Sequence, residues 1–328
     1  MPIENINKNI FKIEISIPKN PLKTLNVYLI KGNSKSLLID AGINTEEASK
    51  LLLESLNKIG IDYSNLDLLI THMHADHAGL LGLFKELTKS NANIYISRED
   101  GYALNNLKIW EDMLNVMKKH GFPNNQLEDP MFKNPVHMFS HKGEFDYIPV
   151  EDNYRINVGG YNLRIVSTPG HTKGHICIYE EKNKLLFSGD HILGDITPNI
   201  TLGANDFNNP LNYYFNSLKK VSSIEIELVL PGHRKIIKNA CRRIKELIDH
   251  HNQRFTEIIK ILKENKNKQM SFEVASRINW DINYKNWENF PAVQKWFATG
   301  EAASHLEYLY SIGKIKREYN NNFIMYYL

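Results

Sequence analysis

Residues 71–77, Thr-His-Met-His-Ala-Asp-His, place His72, His74, Asp76 and His77 within six positions, directly after the apolar run Leu66, Leu68, Leu69 and Ile70. Imidazole and carboxylate are the usual protein ligands of divalent metal ions. Four of them at one turn are either chance or part of a metal site. Three further apolar runs decide between these readings. RIVSTPGH ends in His171, KLLFSGD ends in Asp190 and ELVLPGH ends in His233. Gly170, Gly189 and Gly232 stand just before these residues, where a glycine lets the backbone turn sharply and approach an ion closely. A random scatter of the chain's 13 histidines would not return to the same strand-and-turn context.

His72, His74, Asp76, His77, His171, Asp190 and His233 are too many ligands for one tetrahedral zinc and suit two ions. His72 and His74 are two apart, so an extended segment points both the same way and lets them grip one ion. Asp76 and His77, where the chain turns, can face a second. With no thiolate in the set, the expected cofactor is a pair of divalent ions, zinc first, with manganese and iron as alternatives. Water on such an ion drops in pKa from about 15.7 to near 7. A hydroxide bridging the two ions is then the expected nucleophile, with Asp76 as the catalytic acceptor of its proton. No serine or cysteine nucleophile is required.

The elements that must carry these residues follow from periodicity. FKIEISI at 11–17 alternates apolar and polar, as a half-buried strand does. LNVYLIKG, SLLIDAG and LDLLI read as core strands, with a helix capped by Thr45 between the last two. AGLLGLFKELTKS is helical and ANIYIS extended. The histidine cluster therefore sits at a strand-to-helix connection. Residues 99–150 interrupt the rhythm with a helical stretch and a Pro/Asn-rich stretch, and long insertions of this kind are often lids. Strands resume with YRINVGG, YNLRIVSTPG, HICIYEEKN and KLLFSGD, then a helix LNYYFNSLKKVSS and a last strand IELVLPG. The tail is helical to about residue 312 and closes in GKIKREY and NFIMYYL around Asn320–Asn322, a hairpin pattern.

The motif T-H-x-H-x-D-H at 71–77, followed in order by His171, Asp190 and His233, resembles the metallo-β-lactamase superfamily over residues 10–240. The resemblance implies an α+β fold: an αββα sandwich of two facing mixed sheets. It implies that His72, His74 and His171 hold a first metal, that Asp76, His77 and His233 hold a second, and that Asp190 bridges them. TPGHTKGH, LFSGDHIL and the tail segment HLEYLYSIGKIK resemble the two-domain hydrolase branch with a C-terminal winged-helix-like module. Some members of that branch act on single-stranded RNA. Related branches are glyoxalase II-type thioesterases and acyl-homoserine-lactone lactonases. The H-x-E-x-D pattern of the diiron flavoprotein branch is missing, which disfavours oxygen reduction. The expected organisation is a catalytic domain at 1–245, carrying the 99–150 insertion, and a mostly helical winged-helix-like domain at 246–328.

Two substrate classes share this expected centre. One is an ester, thioester or lactone of a small molecule, which a lidded pocket favours. The other is single-stranded RNA, which the branch resemblance favours and for which Lys314, Lys316 and Arg317 would be the contacts. A regulatory winged-helix protein with a relic metal site is a third class, disfavoured by an intact ligand set. The helix EAASHLEYLYSIG has two glutamates and no lysine or arginine, a poor reader of DNA bases, so covering the active-site mouth or forming a homodimer is the better expectation for the tail. Residues 241–328 hold 14 Lys and Arg against 10 Asp and Glu, while the whole chain is near balance at +3. That excludes a strong global field for nucleic acid.

Among the remaining histidines, His175 and His191 are expected to orient their neighbours or merely fill structure. His120, His137 and His141 are expected at the surface, His250 and His251 on a solvated helix face, and His305 in packing. Tyr102, Trp110, Phe122, Trp280, Trp287 and Trp296 are expected mainly in core or dimer packing, with one or two lining substrate. Cys177 and Cys241 are distant from each other. Cys177 reads as a small buried hydrophobe, and the pair fits a reducing compartment. With no apolar run near 18 residues and no apolar leader, the expected location is the cytoplasm.

Overall fold

The computed structural model describes residues 3–17, 22–89, 91–106, 108–128, 132, 144–203, 207–265, 267–281 and 284–328. His137 and His141 fall outside them. The described chain forms two compact units. The first comprises 1–106, 135–198 and 217–243, and the second 107–134, 199–216 and 244–328. The 99–150 insertion is thus shared between the units rather than carried by one.

The first unit is built on two mixed sheets. The larger has seven strands in chain order: β1 (Ile3–Asn7), β2 (Ile10–Ser16), β3 (Thr24–Ile30), β4 (Ser36–Ile39), β5 (Leu66–Leu69), β6 (Ile94–Ser97) and β7 (Ile148–Val150). β1 to β4 pair antiparallel and β4 to β7 parallel. The smaller sheet comprises β8 (Arg155–Val158), β9 (Tyr161–Ser167), β10 (Ile176–Glu180), β11 (Leu185–Gly189) and β12 (Leu228–Pro231). Its β8–β11 are antiparallel, and β11–β12 are parallel. β9, β11 and β12 therefore run the same way and end at the same edge.

Alternation along β3 shows why the sheets stack. Leu25, Val27 and Leu29 join the helix Glu46–Ile59 in one core, through Ala48, Leu52 and Leu56. Tyr28 and Ile30 point the other way, into a second core shared with Leu163, Ile165, Ile178, Phe187 and Leu230 of the smaller sheet. Side chains of period 2 place one face against helices and the other against a sheet. Tyr28 and Phe187 meet edge to face at 5.2 Å across that interface. The helix begins as expected at Thr45, whose Oγ1 accepts from Ala48 N, and ends at Gly60 with φ 75°.

The second unit packs the helices Ser271–Ala275 and Ala292–Ser311 with the C-terminal half of Ala240–Glu264 around Ile258, Val274, Ala302, Leu306 and Tyr326. The expected hairpin is present as β13 (Lys316–Asn320) and β14 (Phe323–Tyr327). Asn321 and Asn322 both have positive φ, as the tight two-residue turn of a hairpin requires. Phe122, Phe132, Met117 and Trp296 form a smaller cluster against Trp110, so these aromatics serve the core. Two histidine expectations are corrected here. His120 is 2% exposed and bonds Ser271 Oγ at 2.8 Å, because its helix packs inward. His251 is 1% exposed and bonds His305 Nε2 at 3.0 Å, because the helix Ala240–Glu264 turns that face into the unit.

Candidate metal centre

The seven sequence-selected residues lie on four segments: the turn after β5, the loop after β9, the end of β11 and the end of β12. The fold brings all seven together. His72 Nε2 and His171 Nε2 stand 3.0 and 2.9 Å from His74 Nδ1. Ligands at about 2.0–2.1 Å from a tetrahedral zinc lie roughly 3.3 Å apart, so ring nitrogens this close could share an ion. Asp76 Oδ2 is 3.3 Å from His233 Nε2 and 3.9 Å from His77 Nε2, which outlines a second group. Asp190 lies between the groups. Its Oδ1 is 3.4 Å from His77, and its Oδ2 is 3.6 Å from both His171 and His233. The triads His72–His74–His171, His72–His77–Asp190 and Asp76–His77–His233 each have donor atoms close enough to share an ion.

The far nitrogens of the rings are held by the scaffold. His77 Nδ1 is 2.8 Å from Asp40 Oδ2, and His233 Nδ1 is 2.7 Å from the Thr24 carbonyl. His72 Nδ1 lies 3.0 Å from Thr71 Oγ1, which itself donates to Asp40. Asp40 also accepts from Thr71 N at 2.8 Å. With an acceptor at Nδ1, His72, His77 and His233 each turn Nε2 inward, which fixes the ring for a metal. Asp40 adopts φ 62° at the end of β4, a conformation asparagine and aspartate tolerate better than most residues.

His175 proves to be a support. Asp190 N donates to His175 Nε2 at 3.1 Å, and His175 Nδ1 lies 2.9 Å from Thr168 Oγ1. His175 therefore orients the backbone that carries Asp190. His191 is buried, and burial pulls its pKa down to about 3. Gly232 is required sterically, since a Cβ there would lie 2.8 Å from both Asp190 Oδ1 and His77 Cε1.

Asp40, Thr71 and His175 complete the centre, and of these the sequence pattern singled out only His175. A signal for Asp40 was present: SLLIDAG ends in aspartate as KLLFSGD does. It was masked because SLLIDAG also reads as an ordinary strand.

Residues 23–233 match the family model described as the metallo-beta-lactamase superfamily. The chain belongs to that superfamily. A probable metallo-hydrolase of Bacillus subtilis is 27% identical to it over 295 residues, 86% of each chain. An atrochrysone carboxyl ACP thioesterase of Aspergillus fumigatus is 25% identical over 244 residues, 73% of this chain and 59% of that protein. A crystal structure of a metallo-beta-lactamase family protein from Thermus thermophilus matches with a TM-score of 0.83 and 26% identity, covering 98% of this chain and 99% of that one. The chain is thus a metallo-β-lactamase-fold hydrolase. Among its described residues, no helix is long and apolar enough to cross a membrane.

Superfamily members typically bind divalent metal ions, and the donor set fits such ions on this structure's own terms. His77 Nε2, His233 Nε2 and Asp190 Oδ1 are buried without a hydrogen-bond partner, and all three face the centre. Buried polar atoms are rarely left so, and each is normally explained by an ion, a water or a functional role. The electrostatics agree. Burial and the surrounding rings hold His72 well below its ordinary pKa and His74 down to about 3, so both offer lone pairs. Burial opposes the charge of Asp76 and Asp190, yet the facing histidines hold both carboxyls below the usual range. Burial likewise opposes charge on His77, but Asp40, Asp190 and Asp76 raise it well above 6.5. The cluster selects positive charge at its middle.

Proposed function

We propose that the protein is a dinuclear metal-dependent hydrolase that cleaves an ester, thioester or lactone of a small molecule. The observation that carries this reading is the convergence of His72, His74 and His171 beside Asp76, His77 and His233, with Asp190 reaching both groups. In this reading the first trio would hold one ion and the second trio another, with Asp190 placed to reach both. Zinc is the proposed metal, because the donors are imidazole and carboxylate alone. When bound, the ions supply Lewis acidity and bring water toward ionisation near neutral pH.

The chain's own residues do the rest. Asp76 is the more open of the two inward carboxylates, at 18% side-chain exposure against 8% for Asp190. It orients the attacking water and accepts its proton. Asp40, Thr71, Thr24 and His175 keep the rings and the Asp190 backbone in place, so no reorganisation is needed during the reaction. Cys177 takes no part: burial raises its thiol to about 12, and it lies against Thr168 Oγ1 and the Ser188 carbonyl. The thioesterase named among the relatives supports the thioester as the first substrate class to try.

The proposed division is a catalytic domain at 1–245 and a winged-helix-like accessory domain at 246–328 whose hairpin is the wing. One feature of that hairpin supports single-stranded RNA as a second reading. The Arg317 guanidinium lies 4.3 Å from the centre of the Tyr310 ring and 5.7 Å from that of Tyr319, and Tyr319 is 67% exposed. Exposed aromatics such as Tyr319 are what nucleobases stack on, while the Arg317 guanidinium beside it is 24% exposed and paired with Glu307. A hydrolysis screen with zinc- and manganese-loaded protein over thioesters, lactones, phosphodiesters and RNA tests both readings. Turnover of an acyl substrate that is lost in Asp190→Ala supports the first. RNA cleavage with binding that weakens steeply in salt and no acyl turnover replaces it with the second.

A further inference from the structure

A buried carboxylate outside the seven-residue cluster joins two of its segments. Asp100 is 1% exposed and sits in the first turn of the helix Arg98–Asn105. The helix is capped by Ser97, whose Oγ accepts from Asp100 N at 3.3 Å. An acidic residue three positions after a serine cap ordinarily serves the helix end. Here the carboxylate also faces away from it. Its Oδ2 accepts from Met73 N at 2.9 Å and from Thr172 Oγ1 at 2.6 Å, and its Oδ1 accepts from Gly174 N at 2.8 Å. Met73 lies between His72 and His74, and Thr172 follows His171. One side chain thus ties the turn of the first two histidines to the turn of the third. The approach is close: a Cβ on Gly174 would lie 2.2 Å from Ser97 Oγ and 2.6 Å from Asp100 Oδ1.

We propose that Asp100 is a positioning residue that fastens the His72–His74 turn to the His171 turn and thereby sets the spacing of the three imidazoles that would hold one ion. The inference rests on the metallohydrolase reading above. A carboxylate suits the task because it is all acceptor and meets three donors from two loops, whereas an amide would turn an N–H against one of them. Burial raises Asp100 to about 6 despite those three donors.

The test uses the full chain, stripped of metal and titrated with zinc against a competing chelator, and separately with cobalt(II) to read its d–d absorption. Asp100→Asn is expected to weaken zinc binding by about 10- to 100-fold, as loss of a ligand-orienting group does, and to change the cobalt spectrum while far-ultraviolet dichroism stays native. Thr172→Val removes one of the three bonds and leaves the carboxylate; it is expected to weaken zinc several-fold, with Thr172→Ser restoring wild-type affinity. Should Asp100→Asn fail to fold, the Thr172 pair decides alone. Zinc affinity and cobalt spectrum unchanged in a folded Asp100→Asn, or in Thr172→Val, overturn the proposal while the wild type still binds metal. A wild type that binds neither ion overturns the metallohydrolase reading and this inference with it.

Discussion

Asp40 Oδ2 lies 2.8 Å from His77 Nδ1, and the two side chains are 3% and 0% exposed. The same carboxylate accepts from the backbone and hydroxyl of Thr71, and that hydroxyl meets His72 Nδ1. A single buried charge therefore orients one ring in each half of the centre.

Asp40→Asn isolates that charge. Asparagine has nearly the same shape and tolerates φ 62°, so the backbone is not strained by the change. Its one amide oxygen can serve the Thr71 donors or His77, but not both, and its N–H turns against the other. Metal affinity should fall by about 10- to 100-fold, with a matching loss of kcat/KM, and equilibrium dialysis against a chelator measures it. Asp40→Ala should lose more, because alanine also disfavours the left-handed backbone. Equal retention of metal in wild type and Asp40→Asn would sink this account.

Gly232→Ala adds only a methyl group, and the glycine is not in the left-handed region. Its effect should therefore be steric and local, displacing Asp190 Oδ1 and His77 Cε1, each 2.8 Å away. Activity should drop at least tenfold, while the thermal midpoint of the metal-free protein moves by only a few degrees. Metal analysis of the same samples separates a distorted centre from a lost one. A fully active Gly232→Ala protein would show that the two side chains have room the structure does not display.

The ligands were legible because their types are rare and their context repeats: four apolar runs ending in a small-residue turn that bears His or Asp. Most strands of both sheets were legible for a related reason, since β2 alternates and the apolar runs of β3, β4, β5 and β11 are bounded by turn residues. What was not legible is how polar residues serve a partner distant in sequence. Asp100 stands three residues after Ser97, and that spacing is explained locally by helix capping, so its reach to Met73 and Thr172 leaves no trace in the sequence. Two histidines went wrong for a related reason. His251 lies in RIKELIDHHNQRF, whose polar residues suggest a wet face, yet it turns toward Tyr214, Phe215 and His305. β1 and β7 are short edge strands whose own residues carry little alternation.

Metal removal should destabilise the first unit as well as inactivate it. The proposed ligands are spread over the ends of β5, β9, β11 and β12, so an ion there cross-links both sheets in the folded state only. Ligand present at 1,000 times its dissociation constant adds about 4 kcal/mol, and a chelator takes that away. For a unit of this size the thermal midpoint should fall by roughly 10 °C, and added zinc should restore it. Differential scanning calorimetry with and without chelator gives the answer, and an unchanged midpoint would mean that no ion bridges these strands.

Glu301 supplies a pH dependence separate from the centre. It is 8% exposed in the second unit, bonded by Asn199 Nδ2 at 3.3 Å, and burial raises its carboxyl from 4.5 to about 7 against the pull of Arg254. A group raised on folding gives full stability below its unfolded pKa. That stability is lost as the pH rises through the folded pKa. Between pH 4.5 and 7 the unfolded chain releases a proton that the folded chain keeps, so stability declines with a total cost of up to about 3 kcal/mol. His251 and His305 have the opposite sign. Burial lowers both, His305 to about 3, so their contribution is present above about pH 6.5 and lost on acidification. The comparison that isolates Glu301 is therefore variant against wild type at each pH. Glu301→Gln keeps an oxygen for the Asn199 amide and never ionises. Urea denaturation should find it equal to wild type at about pH 4.5 and more stable at about pH 8. The same difference at both values would mean that Glu301 stays neutral, or is already paired, across the whole range.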